Sequence, residues 1–260
     1  MPKFLVIRFS SIGDIVLTTA AIRCLKKQVP GAELHFLTKR RFQAVTEANP
    51  YIDRFHYFDD DLSALIKVLK QEHFDHIIDL HANLRTRRIR LALGRPALVF
   101  AKHGLRKFLL TNVHVNIMPE RHVAERCLDA LVPLGVKDDG QGMDHFLPKG
   151  YELPEKLTFF TSAGYSAFVV GASYVTKKLP LERMKLLAGM LDHPVVAVGG
   201  PEDAEEGSAL EAAFPGKVFN ACGKFDLHGS SAIVRDARVV ISHDTGLMHI
   251  ACAFQKPVLA

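Results

Sequence analysis

The sequence predicts an α/β protein made of two doubly wound, Rossmann-like domains, and three observations carry that prediction. Short apolar runs such as "KFLVIRF", "FDHIIDLH" and "PVVAVGG" alternate with longer amphipathic stretches. Strands without polar alternation are those buried on both faces of a parallel sheet. The alternation occurs twice, interrupted by "VKDDGQGMDHFLPKGYELPEK", whose glycines, prolines and charges suit a connection between domains. The 260 residues exceed the usual size of one domain and can bury one or two substantial cores.

In the first half, "KFLVIRF" reads as a strand, "DIVLTTAAIRCLKKQV" as one helix and "GAELHFLTK" as a strand. "RFQAVTEAN" follows as a short helix, "DRFHYF" as a strand, "LSALIKVLKQEH" as an amphipathic helix and "FDHIIDLH" as a strand. "TRRIRLALG" is helical and "PALVFAK" extended, and "ERHVAERCLDALVPLG" is a helix stopped by Gly135. The boundary falls near residue 150, giving domains 1–150 and 151–260. In the second domain "AFVVGAS", "PVVAVGG" and "RVVISHD" are strands. "PLERMKLLAGML", "PEDAEEGSALEAAF", "DLHGSSAIVRDA" and "TGLMHIACAF" are helices. The closing "KPVLA" begins another strand, so the second domain is expected to be incomplete, short of the strand and helix that normally follow.

A chain with 48% hydrophobic and 23% charged residues is globular rather than disordered or fibrous. It opens directly on a strand, without a basic-then-apolar leader, and holds no apolar run near the ~18 residues of a membrane span, which implies a cytoplasmic protein. Cys24, Cys127, Cys222 and Cys252 are scattered among apolar neighbours, the pattern of buried, reduced thiols rather than a zinc site or a disulfide framework. The net charge of +5 is concentrated in Arg85, Arg87, Arg88, Arg90, Arg95, Lys102, Arg106 and Lys107. That cluster reads either as a solvated helix face or as a surface for an anionic partner, a small acidic substrate or a membrane. No nucleic acid is expected, because no recognition motif accompanies the arginines and no aromatics interleave with them.

Three strand-to-helix junctions gather the polar residues, each at the carboxyl end of a strand, where open parallel sheets bind ligands. In "FSSIGD", Ser10, Ser11 and Gly13 allow close backbone approach, and Asp14 stands at the helix start, as a cap, as a functional carboxylate, or both. In "GASYVTKKLP", Lys177 and Lys178 follow a loop of small residues. A lysine there suits a phosphate as a point charge, and a plain surface loop would look the same. In "SHDTGLMHIACA", Asp244, Thr245 and Gly246 open a helix whose amides and dipole favour an anion such as a diphosphate. His243 and His249 are not spaced i, i+4, which argues against metal.

Taken in order, "FSSIGDIVLTTAAIRCLK", "FDHIIDLHANLRTRR", "GASYVTKKLP", "VVAVGGPEDAEEG" and "SHDTGLMHIACAFQKPV" resemble glycosyltransferase family 9, the ADP-heptose lipopolysaccharide heptosyltransferases, over nearly the whole chain. The resemblance implies the GT-B architecture, two Rossmann-like domains facing across a cleft that closes during the reaction. It implies inverting transfer from an ADP-sugar to an anionic glycolipid acceptor at the inner membrane surface, with no metal ion and no cofactor. It assigns Asp14 as the catalytic base. Ser173, Lys177, Glu202, Asp244, Thr245, Gly246 and His249 fall to the donor, Glu202 sharing its position with Asp203. Ser10, Ser11, Gly13, Arg85 and Arg88 fall to the acceptor. The family's aromatic residue after the lysine pair is Leu179 here. A member with another nucleotide-sugar donor, or a non-catalytic remnant that binds a nucleotide sugar, would carry the same residues.

Overall fold

The computed structural model describes residues 1–102, 111–112, 115, 121–153, 157, 160, 164–172 and 174–260. The chain divides into two compact units, Met1–Gln43 with Asn49–Met143, and Ala44–Ala48 with Asp144–Ala260. Both are α/β.

The first unit is a sheet of β1 (Lys3–Ile7), β2 (Glu33–Lys39), β3 (Arg54–Phe58), β4 (His76–Asp79) and β5 (Ala97–Val99). Its order is β3-β2-β1-β4-β5 and every pair is parallel. Phe4, Leu5, Val6 and Ile7 of the central strand are all buried, as an uninterrupted apolar run requires. Leu65 and Leu69 of α4 (Leu62–Gln71) pack in the same core as Leu5 and Ile7. Asp61 caps that helix, accepting from Ser63 N–H at 2.8 Å and Ala64 N–H at 3.0 Å. α5 (Leu84–Leu93) is capped by Asn83 and ends at Gly94 with φ +61°, a left-handed turn that glycine adopts without strain.

The single helix expected after β1 is two, α1 (Ile12–Val16) and α2 (Thr19–Gln28). Threonine hydroxyls explain the break. Thr18 Oγ1 donates to the Ile15 carbonyl and Thr19 Oγ1 to the Val16 carbonyl, both at 2.7 Å. These side chains compete with backbone donors for helical carbonyls. Two short helices are α3 (Gln43–Thr46) and α6 (Val123–Asp129), and Arg23 of α2 is 1% exposed and forms a bidentate pair with Asp139.

The second unit repeats the plan with β6 (Ser166–Val169), β7 (Val195–Val198), β8 (Val218–Asn220), β9 (Val239–Ser242) and β10 (Val258–Leu259), ordered β10-β9-β6-β7-β8 and parallel. Its helices are α7 (Leu181–Met190), α8 (Ala204–Ala213), α9 (Leu227–Asp236) and α10 (Gly246–Ala253). Counted within each unit, both sheets run 3-2-1-4-5, the order of a dinucleotide-type fold. Winding reverses between β1 and β4 in one and between β6 and β9 in the other, opening a crevice at the carboxyl ends of those strands. Among the described residues no helix is long and apolar enough to cross a membrane. Cys24, Cys127 and Cys222 are buried, whereas Cys252 of α10, expected inside, is exposed.

Candidate active site

The polar junctions read from the sequence lie at these two crevices. At the first, the chain leaves β1 at Ile7 and passes through Arg8 and Phe9 to Ser10 and Ser11. Ser11, not Asp14, is the N-cap of α1, and Asp14 is its third residue. The Asp14 carboxylate reaches back, its Oδ2 accepting from Ser11 N–H at 3.1 Å and Ser11 Oγ at 3.0 Å, as a capping box does. Its Oδ1 faces the Arg8 guanidinium at 2.7 Å. Burial pushes the Asp14 pKa up, but the Arg8 charge and the Ser11 bonds outweigh it and hold the carboxyl below its ordinary value. Gly13 lies within α1 and is buried, so it belongs to the helix rather than to an open loop. Ser10 is half-buried and its carbonyl accepts from Arg8 Nε.

Across the crevice, at the end of β4, Asp79 is fully buried, accepts from the His81 and Ala82 amides and faces Arg90 at 3.0 Å. His81 stacks edge-on against Phe9. Its buried Nδ1 has no hydrogen-bond partner. Burial, with help from the Arg8 and Lys102 charges, pushes its pKa down to about 4, so the ring is neutral near pH 7.

The arginine-rich stretch divides its labour. Arg90 turns inward to Asp79, while Arg85 and Arg88 line a cavity of about 460 Å³ with Lys39, Arg40, Arg41, Asp59 and Asp60. Arg40 is held by Asp59 at 2.9 Å and lies over the Tyr57 ring. Five cations face two carboxylates there, so the pocket favours an anion. Reading the sequence missed Lys39, Arg40 and Arg41; the signal was "KRR" at the carboxyl end of β2, in the same sheet. Arg106 and Lys107 lie outside the described residues.

In the second unit, β6 leads through Gly171 to a 3-10 turn, Val175–Lys177. Ser173 lies outside the described residues. Lys177 pairs with Asp244, and this bond is the first reason the Asp244 pKa is lowered. Thr245 is the N-cap of α10 and Gly246 its first residue. Their amides therefore stand at the positive end of that helix. His249, one turn on, has Nε2 3.8 Å from Asp244 Oδ1. The Leu179 amide donates to His243 Nε2 at 2.9 Å, which ties the β6 junction to the β9 junction and places the imidazole proton on Nδ1. Lys177, Asp244, Thr245, Gly246 and His249 are thus brought together.

The acidic pair after β7 separates. Asp203 is buried, accepts from Gly200 N–H at 3.0 Å and pairs with Lys178 at 2.9 Å; Lys178 also reaches Glu206 at 2.7 Å. A Cβ on Gly171 would overlap the Asp203 carboxylate, and one on Gly199 would come within 2.8 Å of it. These glycines make room for a structural aspartate. Glu202 is exposed, its carboxylate lying against Gly200.

Two groups of ligand-type side chains also converge among the described residues, His35 with His56 and Glu72, and Cys24 with Asp138 and Asp139. Both are already engaged. His35 Nδ1 and His56 Nε2 share a hydrogen bond at 2.9 Å, Arg54 holds Glu72 at 2.7 Å, and Arg23 holds Asp139. Neither group contains a residue of the two crevices.

Comparison with known proteins decides what these crevices belong to. Residues 62–260 match the model of glycosyltransferase family 9 (heptosyltransferase). The chain belongs to glycosyltransferase family 9. It is a heptosyltransferase-like glycosyltransferase with the GT-B fold. Lipopolysaccharide heptosyltransferase 1 of Escherichia coli strain K12 is 24% identical over 290 residues, covering 98% of this chain and 86% of that protein. Among solved structures, a family 9 glycosyl transferase from Veillonella parvula superposes with a TM-score of 0.80 at 24% identity, covering 99% of this chain and 79% of the other. E. coli heptosyltransferase WaaC, solved with ADP, gives 0.75 at 21% identity, covering 98% and 86%. At these identities the superpositions establish the fold of a family 9 enzyme, and the chemistry must be argued from its own side chains.

Proposed function

We propose that this enzyme transfers a heptose, with inversion and without a metal ion, from an ADP-heptose donor to a lipopolysaccharide core or similar anionic glycolipid. The observation that carries the reading is the placement of an ionised, helix-anchored Asp14 at one topological crevice and of Lys177, Asp244, Thr245 and Gly246 at the other. The first unit then takes the acceptor and the second the nucleotide sugar.

Asp14 accepts the proton of an acceptor hydroxyl while that oxygen bonds to the anomeric carbon. The bond from that carbon to the diphosphate breaks on the opposite face, and its electron pair leaves with the diphosphate. Lys177 and the amides of Thr245 and Gly246 take up the charge that appears, the role a metal ion plays elsewhere. In the free enzyme Asp244 occupies Lys177, so an incoming diphosphate exchanges one anionic partner for another. That exchange releases Asp244, beside His249, for the sugar hydroxyls. Glu202 and Ser173 complete the donor side, and Glu202 suits the ribose as an exposed carboxylate. Ser10, Ser11, Gly13, Arg85 and Arg88 frame the acceptor side. The cationic cavity at Arg85 and Arg88 fits an acidic or phosphorylated headgroup, and with it peripheral attachment at the inner membrane surface.

The test is turnover of ADP-heptose with a lipid A core acceptor by wild type, Asp14→Ala and Lys177→Ala, read by mass spectrometry of the product. Wild-type transfer that Asp14→Ala lowers by about two to four orders of magnitude is the expected result. Equal activity in both refutes the base assignment. Binding of ADP without any transfer by the wild type refutes the enzymatic reading.

A further inference from the structure

Arg8 does not belong to any motif read from the sequence; it lies at the end of a strand run, "LVIRF". Its side chain is nevertheless tightly held at the first crevice. Arg8 is 8% exposed. Nε donates to the Ser10 carbonyl at 2.9 Å, Nη1 to the Leu80 carbonyl at 2.5 Å, and Nη2 lies 2.7 Å from Asp14 Oδ1. One planar fork thus joins the end of β1, the end of β4 and the carboxylate on α1. A guanidinium held through two carbonyls cannot follow a moving partner; the partner is placed by it.

The division of the carboxylate's lone pairs gives this a chemical consequence. An ionised carboxylate offers about four acceptor positions. Ser11 takes two on Oδ2, through its amide and its hydroxyl, and Arg8 takes one on Oδ1. The remaining position on Oδ1 is the less engaged, and with the Asp14 side chain 40% exposed it is open to an incoming hydroxyl. We propose that Arg8 is a positioning residue for the transfer reaction, fixing the Asp14 carboxylate so that Oδ1 takes the acceptor proton. This rests on the reading of Asp14 as the base. Arg8 acts through Asp14 and touches neither substrate.

Among the described residues, the charged and titratable groups around Asp14 are Arg8 just after β1, His81 from the β4 junction and Cys127 from α6. His81 is neutral near pH 7 and the Cys127 thiol is pushed up to about 12 by burial, so Arg8 is the charge that acts on Asp14 there. Because Arg8 lowers the folded pKa of Asp14, its removal raises it. Activity that needs ionised Asp14 is then lost at a higher pH as the solution is acidified.

The experiment compares wild type, Arg8→Met, Arg8→Lys and Asp14→Asn, alone and with Arg8→Met combined with Asp14→Asn. Three readouts are taken: kcat/KM against pH for ADP-heptose with a lipid A core acceptor, side-chain carboxyl titration by carbon-13 NMR, and the far-ultraviolet circular dichroism of each variant. We expect Arg8→Met to lower kcat/KM about 10- to 100-fold, as misplacement of a reacting group does, and to move the acid limb upward. Arg8→Lys keeps the charge and recovers part of the loss. In the Asp14→Asn background Arg8→Met should cost nothing further. An Asp14 titration identical in wild type and the Arg8 variants overturns the proposal, whatever the base proves to be. So does a full additional loss in the double variant. If instead Asp14→Asn retains full turnover, the base reading fails by itself, and the proposal, which rests on it, falls too. Should Arg8→Met fail to fold, Arg8→Lys decides by kcat/KM, since the lysine keeps the charge but not the fork: a partial loss supports the proposal and an unchanged value overturns it.

Discussion

Removing the Asp139 carboxylate should loosen the first unit by about 3 kcal/mol, and the contacts of Arg23 give the figure. That arginine sits on the buried face of α2 with 1% of its side chain exposed. Its Nε donates to Asp139 Oδ2 at 2.8 Å, and Nη2 donates to Asp139 Oδ1 at 2.7 Å and to the Gly142 carbonyl at 2.8 Å. In Asp139→Ala the guanidinium loses its two charge-assisted bonds to this carboxylate inside the protein, and breaking a buried pair typically costs about 3–5 kcal/mol. The lower end applies because the Asp139 side chain is 19% exposed, so water can reach the vacated position. The Gln141 amide also loses its bond to Asp139 Oδ1, but it stands near the surface and can be solvated.

Urea unfolding followed by circular dichroism, with hydrogen exchange of the α2 amides, measures the loss and places it in α2. A destabilisation below about 1 kcal/mol would refute the reasoning, since an exposed pair is worth no more than that. The double replacement Arg23→Met with Asp139→Leu is a second check: removing both charges should return most of the stability. The pH dependence has a definite sign. The hydrogen bond from Arg23 is the main reason the Asp139 carboxyl is held well below the ordinary carboxylate range. Its contribution is therefore complete above the unfolded value of about 3.9 and is lost as pH falls through the lower folded value. The gap between wild type and Asp139→Ala should accordingly be constant from neutral pH down to about pH 4 and close below it.

Further expectations concern other parts of the chain. Gly171→Ala should destabilise by about 1–3 kcal/mol and weaken ADP binding by calorimetry, because the new methyl displaces Asp203 and with it Lys178; an unchanged melting temperature would contradict the close approach. Asp61→Ala should cost about 1 kcal/mol and speed hydrogen exchange in the first turn of α4, where Asp61 now caps Ser63 and Ala64; unaltered protection there would mean the cap contributes nothing. Ellman's reagent on the native enzyme should modify Cys252 alone, and slowly at neutral pH because burial raises its pKa; rapid reaction of a second thiol would contradict the burial of Cys24, Cys127 and Cys222.

The strands were the most legible part of this sequence, for a physical reason. A parallel strand with helices on both faces buries every residue, so "FLVI" and "VVAV" carry the sheet in their composition alone. Glycine and proline marked the connections equally well. Where reading fell short, a local choice between two satisfied states decided the outcome. Nothing in "VLTTAA" says whether Thr18 and Thr19 donate outward to water or back to Ile15 and Val16, and the second choice splits the helix. Likewise Ser11-x-x-Asp14 is a capping-box spacing, but a reading centred on the acid gave the cap to Asp14 rather than to Ser11.

The candidate site shows a different limit. Motifs report which polar residues gather at a strand end, but not which charges are already neutralised, because their partners are far away in sequence. Arg8 finds the Leu80 carbonyl 72 residues on, and Lys177 finds Asp244 67 residues on. Lys177 and Lys178 are adjacent, chemically identical and oppositely used. Lys178 turns inward to buried Asp203 and to Glu206, where giving up its partners would leave a carboxylate stranded inside the protein. Lys177 turns to Asp244, whose side chain is 60% exposed, so water or a ligand phosphate can replace either partner at small cost. Only one of the two lysines can be lent to a ligand without unmaking the core, and that follows from the depth of their partners rather than from the lysines themselves.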